Sequence, residues 1–168
     1  MIRHTLARML VVGILVWGLL LPYAVAGAPA GDLAARLTRT DAGGGITIKA
    51  IYATREYFET AGNAADVAKF RSEANIVMLL TLDTHAGDLR AFDPAKGAVL
   101  RTDRGQQVAA TRWGVITEGS HHREGALLFP KVDGQGRGLE TDAKSVELVI
   151  RGLGDVPERV LRWDLPLR

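Results

Sequence analysis

Three histidines in two short segments are the residues of this chain that are best suited to chemistry. His85 lies in Thr-His-Ala-Gly-Asp-Leu (residues 84–89), and His121 and His122 lie in Gly-Ser-His-His-Arg-Glu-Gly (residues 119–125). Imidazole is a good ligand for copper, zinc and nickel, and three imidazoles can hold one ion while leaving a position open. The two segments therefore predict a site for a metal or a polar ligand, with copper or zinc as the candidate ions.

Side chains near these histidines could support such a site. Asp88 and Glu124 can supply an oxygen ligand or an acceptor that orients an imidazole ring, and Trp113 could wall a pocket beside the second segment. Two other interpretations stay open. The histidines could tie loops together, with Asp88 capping the turn after His85, or they could form a polar site that responds to pH. Neighbouring residues of an extended chain point to opposite faces, so His121 and His122 can ligate one ion only if the backbone turns.

The chain contains no cysteine, which excludes several classes of site. These are disulfide frameworks, thiol nucleophiles, Cys-ligated zinc and blue-copper centres. Ser120 beside His121 is the one pair in the sequence that could act as nucleophile and base, but no Gly-x-Ser-x-Gly motif surrounds it. We therefore expect a protein that is not an enzyme.

Residues 1–26 have the three parts of a secretory signal. Arg3 and Arg8 form a positive start, an uncharged apolar run follows at residues 9–21, and Ala24-Val25-Ala26 has the small-x-small pattern of a cleavage site. The apolar run is shorter than the roughly 20 residues that span a bilayer. We expect export to the periplasm or the extracellular space, with no stable membrane insertion after cleavage; an uncleaved N-terminal anchor is the alternative.

The charge of the remaining chain is balanced. The whole sequence has 21 Lys and Arg against 19 Asp and Glu, and removal of Arg3 and Arg8 with the signal leaves 19 of each sign. Nucleic-acid binding requires a concentrated basic surface. The sequence therefore predicts no nucleic-acid partner.

The segments that position the histidines are predicted to be strands. Residues 27–44 are small, polar and rich in glycine, which predicts a flexible linker before a domain at residues 45–168. Residues 76–82 form an apolar run typical of a central strand, and residues 62–73 predict a short helix with Asn63 at its start. Alternation or apolar content predicts seven strands, at residues 46–52, 76–82, 98–102, 107–110, 126–129, 146–151 and 160–163.

These elements predict an all-β fold, an immunoglobulin-like antiparallel β-sandwich of about seven strands with one short helical insertion, preceded by the signal peptide helix. Trp163 is expected in the core. Residues 103–105, Asp-Arg-Gly, predict a hairpin turn. Arg151, Arg159 and Arg162 are expected on a solvated strand face.

The two histidine segments also carry a resemblance. Together with Trp113, the apolar strand that ends in Phe129 and the final Arg-x-x-x-Trp (residues 159–163), they resemble a group of small exported bacterial proteins that have an immunoglobulin-like domain of unknown function. The resemblance covers residues 45–168 and implies the fold and the place of the site, but no reaction. The helical segment within residues 56–73 departs from that pattern.

Two functions remain. The first is an exported β-sandwich binding module of unknown ligand, with a His-lined loop site for a transition metal. The second is a structural or interaction domain of the cell envelope that binds a protein partner, with purely structural histidines; it predicts an exposed apolar patch or an unprotected sheet edge.

Overall fold

The computed structural model describes residues 30–61 and 63–167, which form two antiparallel sheets packed face to face. The five-stranded sheet has the order β1-β2-β3-β7-β6, and the four-stranded sheet has the order β5-β4-β8-β9. The strands are β1 (Thr38–Gly43), β2 (Ile46–Tyr52), β3 (Asn75–Thr84), β4 (Ala98–Thr102), β5 (Gln107–Ala109), β6 (Arg112–Glu118), β7 (His122–Pro130), β8 (Ser145–Leu153) and β9 (Val156–Asp164).

Four short helices and one helical turn connect or flank the strands. They are α1 (Ala30–Leu37), α2 (Arg55–Thr60), α3 (Ala64–Lys69), a 3-10 turn (Leu89–Ala91) and α4 (Pro94–Gly97). Within the described residues no helix has the length and apolarity needed to cross a bilayer. The predicted signal peptide, residues 1–26, lies outside the described residues.

The main core fills the space between the two sheets, and strand alternation explains which side chains enter it. On β2 the buried residues are Ile46, Ile48, Ala50 and Tyr52, whereas Lys49 points outward. The predicted central strand is β3, the middle strand of its sheet, whose Met78, Leu80 and Leu82 face the core. Trp163 is fully buried in this core, as the sequence predicts.

A second, smaller core lies on the outer face of the five-stranded sheet. Phe58 of α2 and Phe70, directly after α3, pack there against Val77, Ala126 and Leu128. These helices form the predicted helical insertion, with two differences. The insertion contains two helices, and the first is capped by the Thr54 hydroxyl, which accepts from the backbone N–H of Tyr57 at 3.1 Å. The predicted cap of the second helix, Asn63, makes no capping hydrogen bond with its side chain.

The segment predicted to be a flexible linker, residues 27–44, is folded over its described part, residues 30–44. Leu33 and Leu37 of α1 are buried in the main core, and β1 pairs with β2 along its whole length. The Thr, Asp and Gly composition suggested a linker because it lacks apolar alternation. Hydrogen bonds to β2 hold β1 in the sheet, although the residues of β1 have little intrinsic preference for a strand.

The seven predicted strands correspond to β2, β3, β4, β5, β7, β8 and β9, and β1 and β6 are additional. Both additional strands are edges of the five-stranded sheet, where burial does not impose a clear alternation. The predicted hairpin turn at residues 103–105 joins β4 and β5, with Gly105 at a φ of 77°.

Candidate functional site

Four connections meet at one end of the sandwich, which we call the loop end. They are the β1–β2 turn (residues 44–45), the β3–β4 connection (residues 85–97), the β6–β7 turn (residues 119–121) and the β8–β9 turn (residues 154–155). Pairing register places them together, because Ile46 lies opposite Thr84, and Asp83 lies opposite His122. All three predicted histidines belong to this end.

Backbone hydrogen bonds join the two histidine segments. The N–H of Thr84 donates to the carbonyl of His121 at 2.9 Å, and the N–H of Leu89 donates to the carbonyl of Ser120 at 2.8 Å. The Thr84 hydroxyl lies 2.9 Å from the carbonyl oxygen of Gly45 and 2.7 Å from that of Ala86, so it links this pair to the β1–β2 turn. Main-chain contacts therefore hold the segments side by side.

His122 is held between two carboxylates on the outer face of the five-stranded sheet. Its Nδ1 lies 2.6 Å from Oδ1 of Asp83 on the neighbouring strand, and its Nε2 lies 3.4 Å from Oε1 of Glu124. The hydrogen bond to Asp83 is the main cause that raises the pKa of His122 above its usual value. Both ring nitrogens of His122 thus face carboxylates that favour the imidazolium.

His85 and His121 have exposed side chains, one on each histidine segment. Asp88 caps the 3-10 turn, because its Oδ1 accepts from the N–H of Arg90 at 2.9 Å, which confirms the predicted capping role. The same carboxylate pairs with the Arg90 guanidinium at 2.8 Å. These hydrogen bonds, first of all the one from the Arg90 side chain, lower the pKa of Asp88 to about 2.

Trp113, which the sequence proposed as the wall of a pocket beside the second histidine segment, lies on β6. Trp113 pairs with Leu127 of β7, and its half-buried ring packs against the main core. The ring also covers Gly125, where a Cβ atom would collide with it. The Arg123 guanidinium lies 5.8 Å from the ring centroid. The Trp113 ring therefore packs against the sheet and the main core.

A metal site requires three or more ligands in one place. In residues 30–61 and 63–167 no group of three or more His, Asp or Glu side chains is arranged to hold an ion. The structure brings the backbones of His85, His121 and His122 together without forming a ligand set from their side chains. Copper or zinc at this site stays a prediction from the sequence.

Arg123 is a structural residue that the sequence analysis did not single out. Its side chain is 6% exposed, and Nη1 donates to the carbonyls of Leu89 at 2.7 Å and Phe92 at 2.6 Å. Its Nε lies 2.9 Å from a carboxylate oxygen of Glu118, an ion pair without hydrogen-bond alignment. Alternation with Leu127 and Phe129 on the same strand could have revealed that this arginine points inward.

Arg159 corrects an expectation. The sequence analysis placed it on a solvated face, but its side chain is 1% exposed, and Nη1 pairs with Asp41 at 2.6 Å. Its Nη2 donates to the carbonyl of Gly43 at 2.6 Å. Arg159 shares the inward parity of Leu161 and Trp163, and it is buried because β1 supplies a carboxylate and a carbonyl across the gap between the sheets.

An open cleft of about 490 Å³ lies at the loop end, between the β1–β2 turn, residues 86–92 and the β8–β9 turn. Its apolar lining includes Leu89, Phe92 and Leu153, and its ionisable lining side chains are Asp88 and Asp155. Gly154 has a φ of 64°, and a Cβ there would lie 2.8 Å from Cδ1 of Ile46, so this turn requires glycine. The sequence analysis did not find this cleft, since its walls come from turns distant in the chain.

Comparisons with known proteins gave a structural similarity but no family. No protein-family model matches the chain, and a search of curated proteins gave no match. Among solved structures, the chain is similar to the crystal structure of a DUF4426 family protein from Pseudomonas aeruginosa PAO1, with 12% identity and a TM-score of 0.44. That similarity covers 76% of this chain and 92% of the other. These comparisons assign neither a family nor a function to the chain.

Proposed function

We propose that this protein is an exported, non-enzymatic β-sandwich binding module that takes its ligand in the cleft at the loop end. The observation that carries the proposal is the cleft itself, whose volume of about 490 Å³ lies in the range typical of small-molecule sites. Such sites combine an apolar lining with a few polar groups that orient the ligand. In this cleft, the apolar lining consists of Leu89, Phe92 and Leu153, and the polar groups are two carboxylates.

The lining favours a ligand with an apolar body and a cationic group. Asp88 and Asp155 are the ionisable side chains among the lining residues. Asp88 is already neutralised by Arg90, whereas Asp155 makes no ion pair within the described residues. Asp155 is therefore the group that would attract a ligand ammonium, with the ligand's apolar part against Phe92 and Leu153.

Nuclear magnetic resonance titration with three matched probes tests the proposal. Phenethylamine has an aromatic ring and an ammonium group, phenethyl alcohol is its neutral match, and hydrocinnamate is its anionic match. We expect phenethylamine to shift the amide resonances of residues 86–92 and 152–155, the alcohol to shift them less, and the anion to leave them unchanged. The order follows from the apolar lining and the free carboxylate.

Variants separate the cleft from the rest of the surface. Asp155→Asn should weaken phenethylamine binding, whereas Asp142→Asn, an exposed aspartate elsewhere, should not. Ala91→Trp should fill the cleft and abolish the shifts, and Ala109→Trp on β5 is its matched control. If no probe shifts the cleft resonances, or if the anion binds best, the proposal is overturned.

Export of the protein is part of the proposal. Its support is the charge, apolar run and Ala-x-Ala pattern of residues 1–26. Cell fractionation and the mass of the processed chain test it. We expect a mature start at Gly27; an intact N-terminus in the cytoplasmic fraction would contradict export.

The sandwich is proposed to be of the immunoglobulin-like type. In that type, strands A, B, E and D form one sheet and strands C, F and G form the other. The order β2-β3-β7-β6 corresponds to A-B-E-D, and β4-β8-β9 corresponds to C-F-G, with β1 and β5 added at edges. On this basis the loop end contains the B–C, D–E and F–G connections.

A second candidate function is a structural or interaction domain of the cell envelope with purely structural histidines. It is favoured by His122, whose two ring nitrogens face Asp83 and Glu124. Mass spectrometry of copper and zinc per chain separates structural histidines from a metal site. The measurement is made on the wild type and on His85→Ala and His121→Ala/His122→Ala variants. About one equivalent lost in both folded variants supports the metal site; no metal, with variants of lower stability, supports structural histidines.

A further inference from the structure

An open pocket of about 260 Å³ lies between α1 and the segment that follows β9. We call it the α1 pocket. It is at the end of the sandwich opposite the loop end, because β1 begins here and β9 ends here. Its apolar lining is aliphatic and consists of Leu33, Leu37, Pro166 and Leu167. A pocket of this size and lining suits the body of a small ligand.

Two arginines, Arg36 and Arg39, also line the α1 pocket. Most other arginines of the described chain lie within ion-pairing distance of an Asp or Glu oxygen. Among the ion pairs of residues 30–61 and 63–167, none includes Arg36 or Arg39. The α1 pocket thus carries two positive charges that no described ion pair neutralises.

Arg39 is held in place by neutral acceptors. Its Nε donates to the carbonyl of Arg162 at 2.7 Å, and its Nη1 donates to the carbonyls of Arg36 and Thr38, both at 2.7 Å. Its guanidinium carbon lies 5.6 Å from the centroid of the Trp163 ring. These contacts fix the guanidinium without removing its charge, and Nη2 keeps its N–H donors free of any acceptor in the described chain. A donor fixed in advance costs less entropy when an anion binds.

One carboxylate lines the α1 pocket as well. Asp164 is 86% exposed, and its Oδ1 lies 3.5 Å from Nε of Arg162. Arg162 also lies 3.8 Å from Glu147, but that carboxylate is paired with Arg101 at 2.8 Å. Because an exposed carboxylate is well screened by solvent, Asp164 weakens the attraction of the two unpaired arginines for an anion without cancelling it.

We propose that the α1 pocket binds a small organic anion, a carboxylate with a short aliphatic body. The carboxylate accepts charge-assisted hydrogen bonds from Nη2 of Arg39 and from the Arg36 guanidinium. The aliphatic body packs against Leu37 and Leu167. This site does not depend on the loop-end cleft, which lies at the other end of the molecule and is proposed to take a cation.

Nuclear magnetic resonance titration of the chain, as the cell processes it, tests the proposal with three matched aliphatic probes. Hexanoate carries the anionic group, hexanol is its neutral match, and hexylamine is its cationic match. We expect hexanoate to shift the amide resonances of residues 33–39, 164, 165 and 167, with a dissociation constant of about 1 mM. Hexanol should shift them less, and hexylamine least.

The indole resonances give an internal control. Nε1 of Trp163 donates to the carbonyl of Leu37 at 2.7 Å, and Leu37 lines the α1 pocket. The Trp163 indole resonance should therefore move with hexanoate. The indole of Trp113, on β6, should stay in place.

Variants test the charges one at a time. Arg36 is exposed, so Arg36→Gln should fold and weaken hexanoate binding about threefold. Arg112→Gln, at an exposed arginine of β6, is the matched control and should bind like the wild type. Asp164→Asn should act in the opposite direction and strengthen binding about twofold. Circular dichroism confirms that the variants are folded.

Three results would overturn the proposal. They are hexanoate that leaves the resonances of the α1 pocket unmoved, hexylamine that shifts them as strongly as hexanoate, and Arg36→Gln that binds hexanoate like the wild type. The resonances of residues 86–92 and 152–155 report the loop-end cleft separately, so failure of one site is distinguishable from failure of the other.

Discussion

The sandwich is closed at one end by apolar side chains and at the other by hydrogen bonds from buried arginines to backbone carbonyls. At the α1 end, Leu37 enters the core, and its carbonyl accepts from Nε1 of the buried Trp163 at 2.7 Å. At the loop end, the buried guanidiniums of Arg123 and Arg159 hold backbone carbonyls of the surrounding turns. Apolar closure removes the Trp163 ring from water. Closure by hydrogen bonds to the main chain fixes the loops and leaves the cleft open between them.

The largest expected effect is at the α1 end. Trp163 is fully buried and contacts the Tyr52 ring edge-on at 5.9 Å between centroids. Trp163→Ala should lower the free energy of unfolding by about 3–5 kcal/mol because it leaves a large cavity. Urea denaturation measures it. Trp163→Phe keeps most of the apolar contact and should cost less; a loss below about 1 kcal/mol for the alanine variant would show that this end is not the main anchor.

A smaller effect is expected at the loop end. Arg123→Met keeps the apolar stem but leaves the carbonyls of Leu89 and Phe92 without their donor. An unsatisfied buried group costs about 1–3 kcal/mol, so we expect a loss of about 2–3 kcal/mol. Hydrogen exchange of the Leu89 N–H should also accelerate, since that amide bonds to Ser120 across the same loop.

The matched control for this variant is Arg151→Met, an arginine that is half exposed on β8 and paired with Glu158. Its stability should stay close to that of the wild type. If Arg123→Met also keeps the stability of the wild type, the hydrogen bonds of Arg123 do not stabilise the loop end. The contrast between the two ends would then be wrong.

The smallest effect concerns pH. The pKa of folded His122 is raised by its hydrogen bond to Asp83, so the pair stabilises the protein fully below about pH 6.5, the usual value in an unfolded chain. This contribution should be lost as pH rises through the folded pKa of His122. Unfolding curves from pH 5.5 to 9 should therefore show a smaller fall for His122→Gln than for the wild type.

His85→Gln is the control for this titration, because the His85 side chain is exposed and makes no hydrogen bond within the described residues. It should keep the pH dependence of the wild type. A profile for His122→Gln that overlays the wild type would show that the His122–Asp83 pair contributes nothing to the stability of the loop end.

Sequence patterns predicted the elements whose burial is periodic or continuous. The alternation of residues 46–52 and the apolar run of residues 76–82 gave β2 and β3, the strands that carry most of the core of their sheet. The linker prediction failed for residues 30–44 because β1 is polar and is held by pairing with β2, which is not visible in its own residues. β6 was missed because most of its residues are exposed, which leaves little alternation in the sequence.

The candidate site was predictable only in part. The sequence analysis assigned both histidine segments to one site, and the pairing of β2, β3 and β7 brings them side by side. The state of each ring could not be predicted, because Asp83 approaches His122 through cross-strand register. Arg159 was placed on the wrong face because the carboxylate that makes its burial possible, Asp41, lies in the segment interpreted as a linker.

The sequence by itself determined the class of this protein: a largely antiparallel β domain with a buried tryptophan, no thiol chemistry and polar histidine segments in turns. These properties follow from residue types and from periods of two, which depend only on near neighbours in the chain. Only the tertiary structure decided that Arg123 and Arg159 are buried, that His122 lies between two carboxylates, that the turns leave a cleft and that β6 is an edge strand. Each of these depends on which distant segments become neighbours, and that is set by strand pairing and sheet packing.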